Sequence, residues 1–307
     1  LSRSPDGRTL VVIARSPGRW ARVLRRDGLG TVAELVPPRG RHFYGHGCFS
    51  PDGTRFFTTE NDTDGGDGVI GVWDATRNWA RVGERSAGGV GPHDVVVSAD
   101  GRHLVVANGG IRTHPDSGRD ILNRGEMRPN LSFLALDREE VVAVADIGFD
   151  LRLSSIRHLA VAADGDVVFG CQYEGGDGLS PPLVGVWRPL EGAVPRLWDM
   201  PDSALARLAD YVGSVALDAR GEIVAATSPR GGHAAFFERR SGRFLGLSGL
   251  ADVCGVAPGA EGFVVTSGGA GVRSIAVGPD GVRATPLGTS LASHAWDNHL
   301  CRLDEGA

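Results

Sequence analysis

Short apolar runs broken by polar turns recur along the whole chain, and no stretch holds a helical period for long. One unit keeps returning. Gly45-His46-Gly47-Cys48-Phe49-Ser50-Pro51-Asp52-Gly53 reads as a polar opening position, a short apolar strand, and an Asp-Gly turn that reverses the chain into a second strand. The runs Pro92–Gly101 and Arg157–Gly165 repeat it, and weaker copies lie at Gly213–Gly221 and Val253–Pro258. A truncated copy, Ser4-Pro5-Asp6-Gly7, stands near the start, and Asn298–Gly306 is the last. Self-similarity at a period of about 40–60 residues, all strand and turn, predicts an all-β fold, a β-propeller.

Taken in order, the pattern predicts strands at Thr9–Arg15, Arg19–Arg25 and Thr31–Val36 for a first blade. The second runs from His46 through Arg55–Thr59 and Val69–Trp73 to Ala80–Glu84. The third opens at His93, continues through His103–Ala107, and resumes at Asn130–Leu136 and Val141–Ile147 after an insertion, Gly109–Pro129. A loop of that length inside a compact repeat is usually functional or disordered. Blade four covers His158 to Met200, and Asp202–Asp210 reads as one or two helical turns with Ser203 as cap. Blades five (Ser214–Leu250) and six (Cys254–Gly288) are regular, and one strand near His299 is left over. The expectation is a single domain over residues 1–307, seven-bladed, with its last blade incomplete at the N-terminus. The alternative is a six-bladed ring in which the C-terminal strand completes the first blade.

Composition agrees. There are 46 glycines, 17 prolines and only 2 methionines, which suits many short strands and tight turns. The net charge of −5, from 32 basic and 37 acidic residues well mixed, argues against a nucleic-acid partner. No run of about eighteen apolar residues offers a membrane span, and a monomer is expected. The sequence starts at Leu1 with no signal peptide, so an N-terminal segment carrying targeting information is expected to precede it. Cys48, Cys171, Cys254 and Cys301 lack any CxxC spacing. They read as buried free thiols, or as one or two disulfides if the protein is exported.

The candidate chemistry lies at the openings of the repeats. With the Asp-Gly turns aligned, His46, His158 and His299 each stand six residues before the turn's acidic position. His93 falls one residue earlier, with Asp94 in the common slot, while Ser214 fills that slot in blade five and Cys254 lies one residue before it in blade six. The ends of the second strands add Glu60-Asn61, Asn108, Cys171-Gln172-Tyr173 and Ser228–Gly232, polar where a buried strand should stay apolar. Both sets are expected at one mouth of the channel. Imidazole, carboxylate and thiolate around one axis are what an iron, copper or zinc site needs. The same register also suits histidines that merely tie neighbouring blades together, because equivalence is not proximity. Arg41, Arg157 and Arg230 near that mouth would suit a carboxylate or phosphate, or salt bridges to Glu60 or Asp94.

The blocks Gly40–Gly47, Thr58–Asp62, Gly91–Asp94, Val106–Pro115, Ser155–Leu159, Gly170–Gly175, Tyr211–Val215, Thr227–Gly232, Asp252–Val256 and Trp296–Leu300 together resemble a family of exported bacterial propellers, domain of unknown function 1513, within the YVTN/WD40-like superfamily. The resemblance implies twin-arginine export to the periplasm and an association with imelysin-type iron-uptake proteins. The family's first-blade opening motif has no counterpart upstream of Ser4.

The leading expectation is therefore a periplasmic propeller that binds iron or copper and is accessory to iron uptake. His46, His93, His158 and His299 would be ligands, with Glu60 and Cys254 as additional ones. Asn61, Asp94, Asn108, Arg157, Cys171, Gln172, Tyr173, Ser214 and Arg230 would surround them. Two rivals stand beside it: a lactonase-like hydrolase or redox enzyme using a Glu60–His93 acid–base pair, and a protein-interaction platform presenting the Gly109–Pro129 loop.

Overall fold

Three of the repeats turn where they do because the turn is clipped by its own side chains. Ser50 Oγ donates to Asp52 Oδ1 (2.6 Å), which also accepts from Thr54 N (3.0 Å), and Arg55 N donates back to Ser50 Oγ (2.9 Å). Ser4 with Asp6, and Ser98 with Asp100, repeat the arrangement. The glycine that follows adopts the left-handed region, φ +70° at Gly53, where a Cβ would be strained. The Ser50 hydroxyl, bonded to the charged form, holds the Asp52 carboxyl below its ordinary pKa.

The structure, a computed structural model, describes all residues except 119, 177, 193, 270, 289, 290, 292, 293 and 304–307. It divides into two compact units. The first, Leu1–Ile156 with Leu303, holds three sheets. They are β1 (Ser2–Arg3), β2 (Thr9–Ile13), β3 (Ala21–Arg25) and β4 (Thr31–Leu35); β5 (Arg41–Phe49), β6 (Arg55–Asp62), β7 (Gly68–Asp74) and β8 (Ala80–Ser86); and β9 (Pro92–Val97), β10 (His103–Asn108), β11 (Asn130–Ala135) and β12 (Val141–Asp146). The second unit, Arg157–Arg302, begins within β13 (Ser154–Val161) and continues with β14 (Val167–Tyr173), β15 (Val184–Trp187) and β16 (Arg196–Leu197). Two further sheets follow: β17 (Ser214–Leu217), β18 (Ile223–Ser228), β19 (His233–Glu238) and β20 (Phe244–Gly249), then β21 (Val253–Gly259), β22 (Gly262–Ser267), β23 (Val272–Gly278) and β24 (Gly281–Pro286). Strands neighbour one another in chain order within every sheet.

Inner strands are covered on both faces. Because successive side chains of a strand point to opposite sides, adjacent residues feed different cores. Phe56 packs with Val11, Ile13, Phe43 and Trp73, whereas Phe57 packs with Ile70, Val95, Leu104 and Leu134. In the second unit Phe236, Val253, Phe263 and Ile275 share a core. All of β7 is buried, while the outermost β8 and β12 are exposed.

Three expectations are corrected. Among the described residues there are six four-stranded sheets, not seven. Ser2 and Arg3 themselves form the first strand of the first sheet, opposite Val11 and Leu10. The stretch 298–303 forms no strand; Arg3 and Arg26 instead hold the Leu303 carbonyl from their guanidinium groups, each at 2.9 Å. In the short helix α1 (Asp202–Leu205) Ser203 lies inside the turn and Pro201 occupies the cap, where it offers no side-chain acceptor. No helix among the described residues is long and apolar enough to cross a membrane.

Candidate functional site

In the first unit both candidate imidazoles sit where a ladder breaks. Phe43 faces Glu60 and Gly47 faces Thr58, so Tyr44, Gly45 and His46 all stand opposite Thr59. Gly45 makes the bulge possible with φ +107°, and Thr59 Oγ1 pins it by donating to the His46 carbonyl at 3.1 Å. On β9, Pro92 faces Asn108 and Asp94 faces Ala107, which leaves His93 as the extra residue. Bulges re-aim side chains that regular strands would bury. These two bring the rings of His46 and His93 to 5.0 Å between centroids, inclined at 43°.

Asp94 supports the pair. Its Oδ1 lies 3.0 Å from His46 Nδ1 and accepts from Val95 N at 2.8 Å. A carboxylate on Nδ1 fixes the proton there and presents Nε2 as the lone-pair nitrogen, the arrangement that orients a metal-ligating histidine.

The second unit carries a matching pair. His158 on β13 is buried, and its ring lies 5.2 Å from that of His299 at 55°. Asn298, beside His299, donates to the Tyr211 hydroxyl at 3.2 Å. Tyr211 in turn is bridged to Gln172, and Tyr173 N donates to the Asp210 carbonyl at 2.8 Å. Arg157 Nη2 lies 3.4 Å from Glu174 Oε1.

Both separations fit coordination. With a metal–nitrogen distance of about 2.0–2.1 Å and the ring centre roughly 1 Å further along, two imidazoles sharing one tetrahedral ion have centroids about 5 Å apart. The donor set is neutral nitrogen, suited to zinc, copper or iron.

The remaining candidates are placed differently. Glu60 belongs to the face of β6 that carries Thr58, whose hydroxyl Trp73 Nε1 reaches at 3.0 Å. Glu60 Oε1 accepts from Thr58 Oγ1 (2.6 Å) and Arg81 Nη1 (2.8 Å), and burial raises its pKa despite Arg81. Its other oxygen, Oε2, is buried with no hydrogen-bond partner among the described residues. Cys254 Sγ points at the carbonyls of Thr266 (3.5 Å) and Trp296 (3.4 Å). Burial pushes its thiol pKa up, and does the same for Cys48 and Cys171. All three are free thiols. Asn108 is architectural: its Nδ2 donates to Ala87 O, Asn130 Oδ1 and Ser132 Oγ. Asn61 is fully buried opposite His42, and neither of its amide atoms finds a partner among the described residues. Ser214 is buried in β17 opposite Thr227.

Of the three arginines, Arg41 is tied to Asp62 (3.0 Å) and Glu84 (2.9 Å), and Arg157 to Glu174. Arg230 lies instead over the Tyr211 ring, 4.9 Å from its centroid. The Gly109–Pro129 loop is closed on itself, with Arg112 N donating to Asn123 Oδ1 (2.7 Å) and Asn123 Nδ2 to Gly110 O (2.9 Å). A cleft of about 590 Å³ in the first unit, lined by Asp67, Glu84, Leu134 and Glu140 among others, contains none of the imidazoles. The Tyr211–Asn298 contact had no signal in the sequence beyond the shared polarity of the two blocks.

The fold is of the all-β, propeller-like class. It is similar to a chain of the mitotic checkpoint complex (12% identity, TM-score 0.65, covering 93% of this chain and 78% of that one). It is also similar to a functionally unknown protein from Desulfotomaculum acetoxidans DSM 771 (15%, 0.55, 86% and 74%) and to Kuenenia stuttgartiensis hydrazine synthase (14%, 0.51, 93% and 94%). At such identities the likeness speaks of fold alone. No functionally curated protein matches. The family described as Protein of unknown function (DUF1513) matches residues 1–303, and the chain belongs to it.

Proposed function

We propose that this protein binds a transition metal, iron or copper, through the paired imidazoles at the openings of its repeats, and serves iron uptake as an accessory protein in the periplasm. One observation carries the reading. His46 and His93 in the first unit, and His158 and His299 in the second, stand in pairs at the spacing of shared coordination, the first with a carboxylate on Nδ1. The paired imidazoles bind the ion, and Asp94 orients His46. The periplasmic setting and the imelysin-type partners come from the family resemblance.

The test is elemental analysis of untagged protein purified from its native compartment. Near-stoichiometric iron or copper is expected, falling by more than half in His46→Ala and in His158→Ala. Wild-type protein that retains no more metal than a His46→Ala/His158→Ala double variant would overturn the proposal.

A further inference from the structure

Arg230 differs from the other two arginines by its surroundings. It is exposed, it has no ion pair among the described residues, and its guanidinium lies 4.9 Å from the centre of the Tyr211 ring. Cation–π stacking of this kind holds the planar fork in one orientation and leaves its N–H edges for a ligand.

The platform beneath it is rigid. Ser228 Oγ donates to the Leu208 carbonyl (2.6 Å) and accepts from Gly231 N (3.0 Å), and Gly232 N closes the turn on Ser228 O (2.9 Å). At Gly231 a Cβ would fall 1.8 Å from the Arg207 carbonyl oxygen, so the turn is pressed against that backbone. Tyr211 is bridged to Gln172 through the main chain, and its hydroxyl accepts from Asn298, the neighbour of His299. A prepositioned cation with no ion pair among the described residues is therefore linked through two contacts, Arg230 on Tyr211 and Tyr211 on Asn298, to the residue next to His299.

We infer that Arg230 anchors an oxyanion ligand, a carboxylate or a phosphate, beside His158 and His299. The chemistry is complementary. An ion held by neutral imidazoles would keep its full positive charge and open positions that anionic oxygens can fill, and a guanidinium takes two such oxygens side by side. The metal would then be held as an anionic chelate, gripped at the ion by imidazole and at its free carboxylate or phosphate by Arg230. This extends the metal reading and rests on it for the ligand's second attachment.

Calorimetric titration of the full chain with citrate and, separately, with inorganic phosphate tests the inference, on metal-loaded and metal-stripped protein. At least one anion is expected to bind the loaded protein, at least tenfold more weakly to Arg230→Ala, with an intermediate loss in Arg230→Lys, which keeps charge but not the fork. The two arms identify which oxyanion the site takes. Arg230→Ala should keep the wild-type unfolding midpoint, since the side chain is exposed. The inference is overturned if neither anion binds the wild type, or if Arg230→Ala binds as the wild type does. Retained metal with Arg230-independent anion binding sinks the anchor alone. Arg230-dependent binding to protein that holds no metal sinks the metal reading and leaves the anchor standing.

Discussion

Lowering the pH should destabilise the first unit through one buried histidine. His42 is only 2% exposed; its Nδ1 lies 3.4 Å from Thr63 Oγ1, and its Nε2 has no partner among the described residues. Burial first, then the charges of Arg19 and His114, pull its pKa from 6.5 to about 4. The folded state thus resists a proton that the unfolded chain accepts below its ordinary pKa. The resulting stability is fully present above pH 6.5 and is lost as the pH falls toward 4. A displacement of that size is worth roughly 3 kcal/mol at about 1.4 kcal/mol per pKa unit. The assay is urea unfolding of wild type and His42→Gln from pH 7 to pH 4. Carboxyls held low in the fold, such as Asp52 and Asp164, keep their contribution down to about their ordinary pKa of 3.8, so they change little over this range and equally in both proteins. The wild type should lose about 3 kcal/mol more than the variant. Parallel stability–pH curves would refute the reasoning.

Two further outcomes follow from the site. Gly45→Ala places a Cβ on a residue at φ +107° and should cost about 1–3 kcal/mol in denaturant unfolding, with a matching loss of metal as His46 is re-aimed. Asp94→Asn keeps the size of the side chain but not the charge on His46 Nδ1; metal affinity by competitive chelator titration should fall about 10–100-fold while the unfolding midpoint moves little.

The turns were the legible part of the fold, because Ser50, Asp52 and Gly53 write their own geometry: a hydroxyl clip, a carboxylate acceptor and a left-handed glycine. Strand positions followed from them, and the outer strands of each sheet fell where the alternation placed them. The blade count did not follow. Residues 298–303 carry the pattern of an inner strand, but the Leu303 carbonyl is captured by two arginine side chains, while Ser2 and Arg3 already fill the place in the first sheet.

The histidines were legible as a register and not as pairs. Bulges at Tyr44–His46 and at His93 shift the side chains from where a regular ladder would aim them, and no local pattern announces a bulge of that kind except the glycine at 45. Glu60 illustrates the limit of position alone. It stands at the expected strand end, yet its parity with Thr58 turns it to Arg81. The same parity, read from the sequence against Trp73, would have separated it from the imidazoles.

The central claim is that imidazole nitrogens hold a metal in this protein. X-ray absorption at the iron or copper edge of the purified, metal-bearing full-length protein measures it directly. The account requires a nitrogen/oxygen shell at about 2.0–2.1 Å with the outer-shell scattering of at least two imidazole rings, reduced in His46→Ala. A first shell without imidazole scattering, or a spectrum indifferent to that substitution, would contradict it.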